Sequence, residues 1–355
     1  MNEAYFETAT NFNPVLGDEG VFFEPDGGTT IRLRGENAQD ITLMVDFQKY
    51  PMVKNADGLW ERTLALKPGF WYLFVVVDGV TVVHPALPVG YGYAKPINFV
   101  NVPGADDDFW LCRNVPHGTV TQDYFFSEVT HRTETCHVYL PPSYFSQPER
   151  KYPVLYLQHG MNENETGWVH QGKVNFILDN LIAEGRAKEM LVVMANGMVQ
   201  VDGAFVHDAY REFFVRDLLP FAEGRYRVLG DREHRAMAGL SMGSMQTSYV
   251  TMTHPELYSA IGLFSGFLRN LFDKGERANP HLAALHDPET FRAQHPVFFR
   301  AMGKDDPYLD TFLEDDEILR QAGIVSVRRM YEGAHVWQVW RECVRDFLQI
   351  IFQDL

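Results

Sequence analysis

A serine between two glycines is the first group in this sequence that could do chemistry. The stretch GLSMGS at 239–244 places Ser241 after a short apolar segment and before a segment with helical features. A serine held on a sharp strand-to-helix turn can act as a nucleophile, and the glycines let the two elements approach closely. The same residues also fit a serine that merely caps a helix, so the motif needs partners before it indicates catalysis.

A serine hydroxyl needs a general base, and that base needs an acid to orient it. The apolar run VFFRAMG is followed by KDDP, which puts Asp305 and Asp306 just past a predicted strand. The run VSVRRMYEG is followed by His335. Because parallel strands end at one edge of a sheet, we predict that Ser241, Asp306 and His335 form a catalytic triad. We favour Asp306 over Asp305 as the acid, because it lies one step deeper in its loop.

An acyl-transfer site also needs two backbone N–H groups that bind the developing oxyanion. One should belong to Met242, directly after the serine. The other should belong to Met161, in the loop QHGM that follows a predicted strand and turns tightly at Gly160. His159 lies in the same loop and is a structural or substrate-contacting histidine rather than the base.

Two regions with different patterns must position these residues. Residues 1–103 contain short β-rich runs separated by turn residues, which predicts a small all-β sandwich. Residues 104–114 are predicted to be a linker. Residues 115–355 alternate apolar strands with helical segments, which predicts an α/β domain with a mostly parallel sheet. The predicted helices cover 173–185, 209–226 (kinked or ended near Pro220), 245–255, 311–323 and 337–352.

The composition excludes several classes of protein. A formal charge of −16 disfavours binding to nucleic acid or to anionic membranes, and fits a neutral substrate. Three widely spaced cysteines form no metal motif or disulfide framework, and no cofactor or metal is indicated. With neither a signal peptide nor a membrane span visible, we expect a soluble cytoplasmic protein; a trimmed secreted protein would have the same sequence features.

Seven motifs together resemble one family, over roughly residues 115–352. They are LQHGMNENETGW, MANG, YRV, GLSMGS, LFSG, GKDDP and GAHVWQVWRECVRDF. They resemble the esterase D-like α/β-hydrolases, and more narrowly the feruloyl and acetylxylan esterases of carbohydrate esterase family one. The resemblance implies an α/β-hydrolase fold with Ser241, Asp306 and His335 as the triad and Met161 and Met242 at the oxyanion site. Where family members carry GLSMGG, this chain has Ser244, a difference that concerns helix packing after the nucleophile.

The N-terminal region resembles a different kind of module. The stretch VDFQKYPMVKNADGLWERTLALKPGFWYLFVVVDG is similar to the immunoglobulin-like carbohydrate-binding modules of glycogen- and starch-active enzymes. The resemblance implies that Trp60, Trp71 or Tyr72 could stack on sugar rings. Aromatic residues that alternate along strands are also typical of a core, so a module that only packs against the catalytic domain is the alternative.

The resemblance implies an esterase that releases feruloyl groups from small-molecule or oligosaccharide esters derived from plant xylan. Aromatic and amide side chains near the site are candidate substrate contacts: Trp168, Asn196, Phe267 and Trp337. Four alternatives remain: an acetylxylan esterase, an enterochelin-type siderophore esterase, an acyltransferase, and a carbohydrate-binding protein with an idle catalytic domain. A homodimer is plausible.

Overall fold

Two units with separate apolar cores make up the chain, Met1–Cys112 and Arg113–Leu355. The computed structural model describes residues 18–104, 107–205, 209–271 and 279–353. Across these ranges, every helix is too short or too polar to span a lipid bilayer. The division between the units falls inside the segment 104–114.

The first unit is all-β. Within residues 18–104 its strands are β1 (Gly20–Phe23), β2 (Thr29–Leu33), β3 (Ile41–Val45), β4 (Gln48–Pro51), β5 (Val53–Lys54), β6 (Trp60–Leu64), β7 (Gly69–Val77), β8 (Val80–Val82), β9 (Val89–Gly92) and β10 (Lys95–Val102). One sheet has the order β1-β2-β6-β5, and the other has the order β4-β3-β7-β10-β9, with β8 beside β7. A short 3-10 helix covers Asp107–Trp110.

Alternating burial shows why these segments form a sheet pair. Along β3, Ile41, Leu43 and Val45 are buried, while the residues between them are partly exposed. Their side chains join a cluster to which both sheets contribute, including Ile31 of β2 and Leu73 of β7. Strand side chains alternate between the two faces of a sheet, so each sheet turns one apolar face to this core. The prediction of an all-β region is confirmed.

The second unit is built on one mixed sheet. Its strands are β11 (Thr119–Ser127), β12 (Arg132–Leu140), β13 (Val154–Gln158), β14 (Leu191–Ala195), β17 (Arg235–Leu240), β18 (Ala260–Phe264), β19 (Val297–Gly303) and β20 (Val327–Tyr331), with a separate small hairpin of β15 (Gln200–Val201) and β16 (Ala204–Phe205). The sheet order is β11-β12-β14-β13-β17-β18-β19-β20. The pairs β11/β12 and β12/β14 are antiparallel, and all later pairs are parallel.

Helices cover both faces of this sheet. They are α1 (Gly167–His170), α2 (Val174–Ala183), α3 (Ala209–Phe213), α4 (Leu219–Arg225), α5 (Met242–Thr253), α6 (Pro288–Gln294), α7 (Leu309–Gln321) and α8 (Trp337–Leu348), with 3-10 turns at Arg232–His234 and Pro280–His286. Neighbouring residues of β18 reach opposite layers. Leu263 packs in a cluster with Leu319 of α7, whereas the Phe264 ring lies 5.7 Å from that of Phe347 in α8. The predicted mostly parallel α/β domain is confirmed.

Of the two predicted outcomes at Pro220, a kinked or an ended helix, the second is wrong, because the helical segment continues past the proline. A π-turn over Phe214–Leu218 joins α3 to α4, and Pro220 lies in the first turn of α4. A proline in a helix lacks an N–H and its ring collides with the carbonyl four residues earlier. The wider π-turn lies directly before the proline and accommodates that carbonyl, so the chain stays helical.

Candidate active site

Ser241 lies on the sharp turn between β17 and α5. Its backbone has φ 51° and ψ −118°, a conformation that a residue with a side chain rarely adopts. The turn is crowded, because a Cβ on Gly239 would lie 2.4 Å from the Gly243 carbonyl oxygen. The Ser241 N–H donates to the Phe264 carbonyl at 3.0 Å, which ties the turn to the end of β18. The predicted strand–serine–helix geometry is therefore present.

The three residues of the predicted triad meet at this edge of the sheet. His335 Nε2 lies 2.9 Å from Ser241 Oγ, and His335 Nδ1 lies 2.8 Å from Asp306 Oδ2. Asp306 is buried, and the His335 side chain is 21% exposed. With Nδ1–H donating to the carboxylate, Nε2 is free to accept the Ser241 proton. The geometry suits general-base activation of the hydroxyl.

Asp306, not Asp305, faces the imidazole. Burial opposes its ionisation, but the hydrogen bond and charge of His335, the N–H of Tyr308 and the hydroxyl of Ser265 together hold the pKa of Asp306 below its ordinary value. Asp306 is therefore an anion at neutral pH, able to orient and stabilise an imidazolium. The Asp305 side chain is exposed, and its backbone N–H donates to the Gly333 carbonyl.

Sequence reasoning missed the residues that surround the acid. Ser265 Oγ lies 2.8 Å from Asp306 Oδ2, and the Trp340 indole N–H donates to Ser265 Oγ at 3.0 Å. The ring of Tyr308 lies 5.3 Å from the His335 ring, and Tyr308 is 44% exposed. One indication was available, because the run YSAIGLFSG at 258–266 predicts a strand and Ser265 lies near its end.

The loop after β13 approaches the serine closely. A Cβ on Gly160 would lie 2.6 Å from Leu240 Cδ1 and 3.5 Å from Ser241 Cβ. A side chain at this position would press on Leu240, so glycine suits a loop that runs so near the turn. Met161, the predicted oxyanion donor of this loop, is partly exposed, and Met242, the other predicted donor, is the first residue of α5.

His159 holds this loop in place. Its Nδ1–H donates to the Gly160 carbonyl at 2.7 Å, and its Nε2 accepts the Gly197 N–H at 2.8 Å. Burial lowers the pKa of His159 to about 4, against the raising effect of its hydrogen bonds to Gly160 and Asn196. The neutral ring therefore links the loops after β13 and β14 with a fixed tautomer, which is a structural role.

Ser244 adds a link that glycine could not provide. Its hydroxyl donates to the Ser241 carbonyl at 2.6 Å and accepts the Phe267 N–H at 2.9 Å. The nucleophile turn and the loop after β18 are therefore joined by a buried hydroxyl. The prediction that this position concerns packing beside the helix omitted this hydrogen-bonding role.

Two predicted substrate contacts belong to the core instead. Trp168 is 1% exposed, its N–H donates to the Gln158 carbonyl, and its ring packs edge-on against Trp337, which is also 1% exposed. With their surfaces covered by protein, neither indole can contact a substrate in this structure, which corrects both predictions.

The other two predicted contacts are also engaged by protein. Phe267 is 2% exposed and lies in an apolar cluster with Met242 and Met245, so it too is a core residue. Asn196 is half-buried, and its side-chain oxygen accepts the Met198 N–H at 2.9 Å. The sugar or phenol contact expected of Asn196 stays a prediction.

A strained serine on a strand-to-helix turn, a histidine, and an ionised aspartate on a mostly parallel sheet define the chain as a member of the α/β-hydrolase class. The sequence profile of the putative esterase family matches residues 127–346. The chain belongs to this family. The match spans β12 to α8, and so includes the triad and both loops beside it.

Among curated proteins, the chain is similar to an endo-1,4-beta-xylanase/feruloyl esterase of Xylanibacter ruminicola. The two are 33% identical over 315 residues, which cover 84% of this chain and 41% of that protein. The chain thus spans about two-fifths of the length of this relative.

Solved structures give a matching result. A ferulic acid esterase superposes with a TM-score of 0.60 and 31% identity, covering 67% of this chain and all of that one. The enterobactin esterase of Shigella flexneri superposes with a TM-score of 0.69 over 95% of this chain and 97% of that one. At 13% identity, this second likeness concerns the fold alone.

Proposed function

We propose that the chain is a serine esterase that hydrolyses feruloyl esters of xylan-derived sugars through an acyl-enzyme. The observation that carries the proposal is the continuous hydrogen-bond path from Asp306 through His335 to Ser241 Oγ, with contacts of 2.8 and 2.9 Å.

The proposed reaction has two balanced halves. His335 Nε2 takes the proton from Ser241 Oγ while Oγ bonds to the ester carbonyl carbon. The N–H groups of Met161 and Met242 bind the oxyanion. When the tetrahedral intermediate collapses, the ester C–O bond breaks and the imidazolium protonates the leaving sugar oxygen. Water then attacks the acyl-enzyme by the same route, with His335 taking its proton and returning it to Ser241.

Two lines of support point to an aromatic acyl group. Relatives in sequence and in structure bear feruloyl or ferulic acid esterase names. In addition, partly exposed apolar side chains on the loops after β13, β14 and β18 pack on the cluster that holds Met242: Met161, Met198 and Leu271. Methionine adapts its shape and makes favourable sulfur–aromatic contacts, which suits a cinnamoyl ring. The formal charge of −16 argues against a strongly anionic ferric siderophore.

The direct test measures ferulate release from methyl ferulate and from feruloyl-arabinose. Ser241→Ala should lose at least about a thousandfold in kcat. Ser248→Ala is the matched control, because Ser248 is a buried serine of the same helix. It should stay within a few-fold of the unmodified protein. Full activity in the Ser241 variant would refute the mechanism.

A substrate panel tests the acyl group separately. Acetyl, feruloyl and p-coumaroyl sugar esters and a siderophore lactone should be compared by kcat/KM, with an excess of acceptor sugar in one arm. Preference for the feruloyl and p-coumaroyl esters is the expected result. Preference for the acetyl ester or the lactone, or transfer to the acceptor sugar, would replace the proposed substrate while leaving the triad chemistry intact.

For the first unit we propose an immunoglobulin-like sandwich that binds sugar. The two facing antiparallel sheets support the fold. Trp60 is 8% exposed and donates to the Gly35 carbonyl, so it is a core residue and the stacking prediction for it is wrong. Trp71 and Tyr72 are partly exposed and remain candidates. Weaker retention of Trp71→Ala than of the unmodified chain on xylan affinity gels is expected, and unchanged retention would count against Trp71.

A further inference from the structure

A buried serine hydroxyl lies between the acid of the triad and an indole. Ser265 Oγ is 2.8 Å from Asp306 Oδ2 and 3.0 Å from Trp340 Nε1. We propose that Ser265 is a positioning residue for the triad carboxylate, and that Trp340 acts through it by fixing the direction of its hydroxyl. The inference rests on the proposed role of Ser241 as nucleophile.

The direction of the two hydrogen bonds follows from the groups involved. An indole N–H can only donate, so Ser265 Oγ must accept from Trp340. Its own proton is then directed to the carboxylate. Asp306 Oδ2 therefore accepts from both Ser265 and His335 Nδ1, while Oδ1 accepts the Tyr308 N–H at 3.0 Å. Three donors on two oxygens fix the plane of the carboxylate, and that plane sets the orientation of the imidazole.

The backbone around Ser265 supports a specific role. Ser265 has φ 40°, which is strained for a residue with a side chain, and it is fully buried. Such a conformation is unfavourable and persists only where the surroundings fix it. Ser265 directly follows Phe264, whose carbonyl accepts the Ser241 N–H. One turn at the end of β18 therefore holds the nucleophile through its backbone and the acid through a side chain.

Trp340 contacts the base as well. Its ring lies 5.1 Å from the His335 ring at 89°, an edge-to-face arrangement. Replacement of Trp340 therefore removes a packing contact together with a donor. A double-mutant cycle with Ser265 separates the two effects, because only the donor effect depends on Ser265.

Several titratable groups lie near Asp306. His335 lies against it, and the phenol ring of Tyr308 lies 5.3 Å from the His335 ring. Asp305 is the exposed neighbour of Asp306 in the chain, and Cys343 of α8 is near enough to be affected by the Asp306 charge. Burial, together with Asp346 and Glu342, keeps the pKa of Cys343 well above its ordinary value, so this thiol stays neutral in the working range. A shift of the acidic limb, which is the low-pH side of the activity profile, would then report a change at Asp306 rather than at this thiol.

The test measures the rate at which a fluorophosphonate probe labels Ser241, across pH. The proteins are the unmodified chain, Ser265→Ala, Trp340→Phe, the double variant, and Ser259→Ala as matched control. Ser259 is a buried serine at the other end of β18, and its hydroxyl donates to the Glu233 carbonyl. Melting temperatures check that each variant folds.

Ser265→Ala should be labelled about tenfold more slowly, since a hydrogen bond to a charged group is lost. The hydrogen bond from Ser265 helps to hold the pKa of Asp306 low, so its loss should raise that pKa and move the acidic limb to higher pH. Trp340→Phe should slow labelling in the unmodified background and do so less in the Ser265→Ala background. The Ser259 variant should match the unmodified chain.

Two other results would contradict the inference. If Ser265→Ala leaves both the labelling rate and the acidic limb unchanged, the inference is wrong. If the effects of Ser265→Ala and Trp340→Phe on the labelling rate are strictly additive, the part that concerns Trp340 is wrong. If Ser265→Ala does not fold, the pH profile of Trp340→Phe is the deciding measurement. A Ser265 hydroxyl that is no longer directed at Asp306 must also move the acidic limb to higher pH. Absence of labelling in the unmodified chain would instead refute the proposed function.

Discussion

The choice between two adjacent aspartates gives the sharpest test of the active site. Asp306 Oδ2 accepts from His335 Nδ1 and Ser265 Oγ, whereas Oδ1 accepts from the Tyr308 N–H. Both oxygens are therefore needed as acceptors. The change Asp306→Asn replaces one acceptor with an NH₂ group, which can only donate.

Either orientation of the new amide fails. If its oxygen faces His335, its NH₂ group opposes the Tyr308 N–H, and the buried site holds two unsatisfied donors. If its oxygen faces Tyr308, the NH₂ group faces Nδ1, so His335 must carry its proton on Nε2 and cannot accept from Ser241. The second orientation abolishes the base. We expect kcat/KM to fall by about 10³–10⁴-fold, or about 4–5.5 kcal/mol in transition-state stabilisation.

The matched control is Asp305→Asn, which alters an exposed carboxylate one residue away. Its kcat/KM on methyl ferulate should change by about twofold at most, since exposed substitutions away from a site have small effects. Both variants should be compared with the unmodified protein by thermal unfolding. Near-normal activity in the Asp306 variant, with a large loss in the Asp305 variant, would show that the acid has been misassigned.

Two further predictions concern packing and pH. Alanine usually stabilises a helix relative to glycine by up to about 1 kcal/mol. Gly224→Ala adds a Cβ in open space, so it should stabilise the protein by up to this amount. Gly243→Ala should instead destabilise the protein, because its Cβ would lie 2.5 Å from the His159 carbonyl oxygen and push α5 from β13. The displaced turn should also lower kcat about 10–100-fold. Chemical denaturation and ferulate release measure both. Burial lowers the pKa of His295 to about 4, so stability should fall between pH 6.5 and pH 4, where only the unfolded chain binds the proton. The loss from this histidine is about 2 kcal/mol at pH 5, and His295→Gln should remove it from the pH dependence of unfolding.

The glycine and His295 predictions each have a control. Equal effects of alanine at the two helical glycines would mean that the close approach beside Ser241 does not constrain the turn. For the histidine, His286→Asn alters an exposed ring and should leave the pH dependence unchanged. A stability curve that is equally steep with and without His295 would show that its ring is protonated, or accessible, in the folded protein.

Central parallel strands could be predicted because they are buried on both faces. The run VFFRAMG was predicted as a strand, and the structure has β19 over Val297–Gly303. Long apolar runs of this kind need no alternating pattern. The hairpin of β11 and β12 was missed. β11 lies at the sheet edge and has exposed residues at Thr119, Gln122, Tyr124 and Phe126, so it lacks the continuous apolar run of the central strands.

Contacts between distant residues could be predicted for the triad, whose chemistry requires a serine, a base and an acid, but not for the residues that support it. The hydrogen bond from Trp340 to Ser265 joins residues 75 positions apart, and nothing in the motifs that contain them pairs the two. Trp168 was predicted to contact the substrate, because the polar loop ENETGW was expected to border the cleft. In the structure it lies in the short helix α1, and its ring packs on Trp337 and Phe264. The apolar area of an indole outweighs the polarity of its sequence neighbours.

Each triad residue follows its own strand, but the strands that carry Ser241 and His335 are too far apart for the two side chains to meet directly. Ser241 follows β17 and His335 follows β20, which is three strands away in the sheet, or about 14 Å at normal strand spacing. An imidazole cannot cross that gap from directly above β20. The loop after β20 must therefore fold back over the end of β19.

Gly303, the last residue of β19, makes this crossing possible. A Cβ there would lie 2.4 Å from the Gly333 carbonyl oxygen and 2.7 Å from that of Ala334. Any larger residue would lift the loop and carry His335 away from Ser241. The Asp305 N–H then holds the crossing loop by donating to the Gly333 carbonyl at 2.9 Å. The GK that precedes the two aspartates thus contributes a glycine as necessary to the triad geometry as the glycines beside the serine.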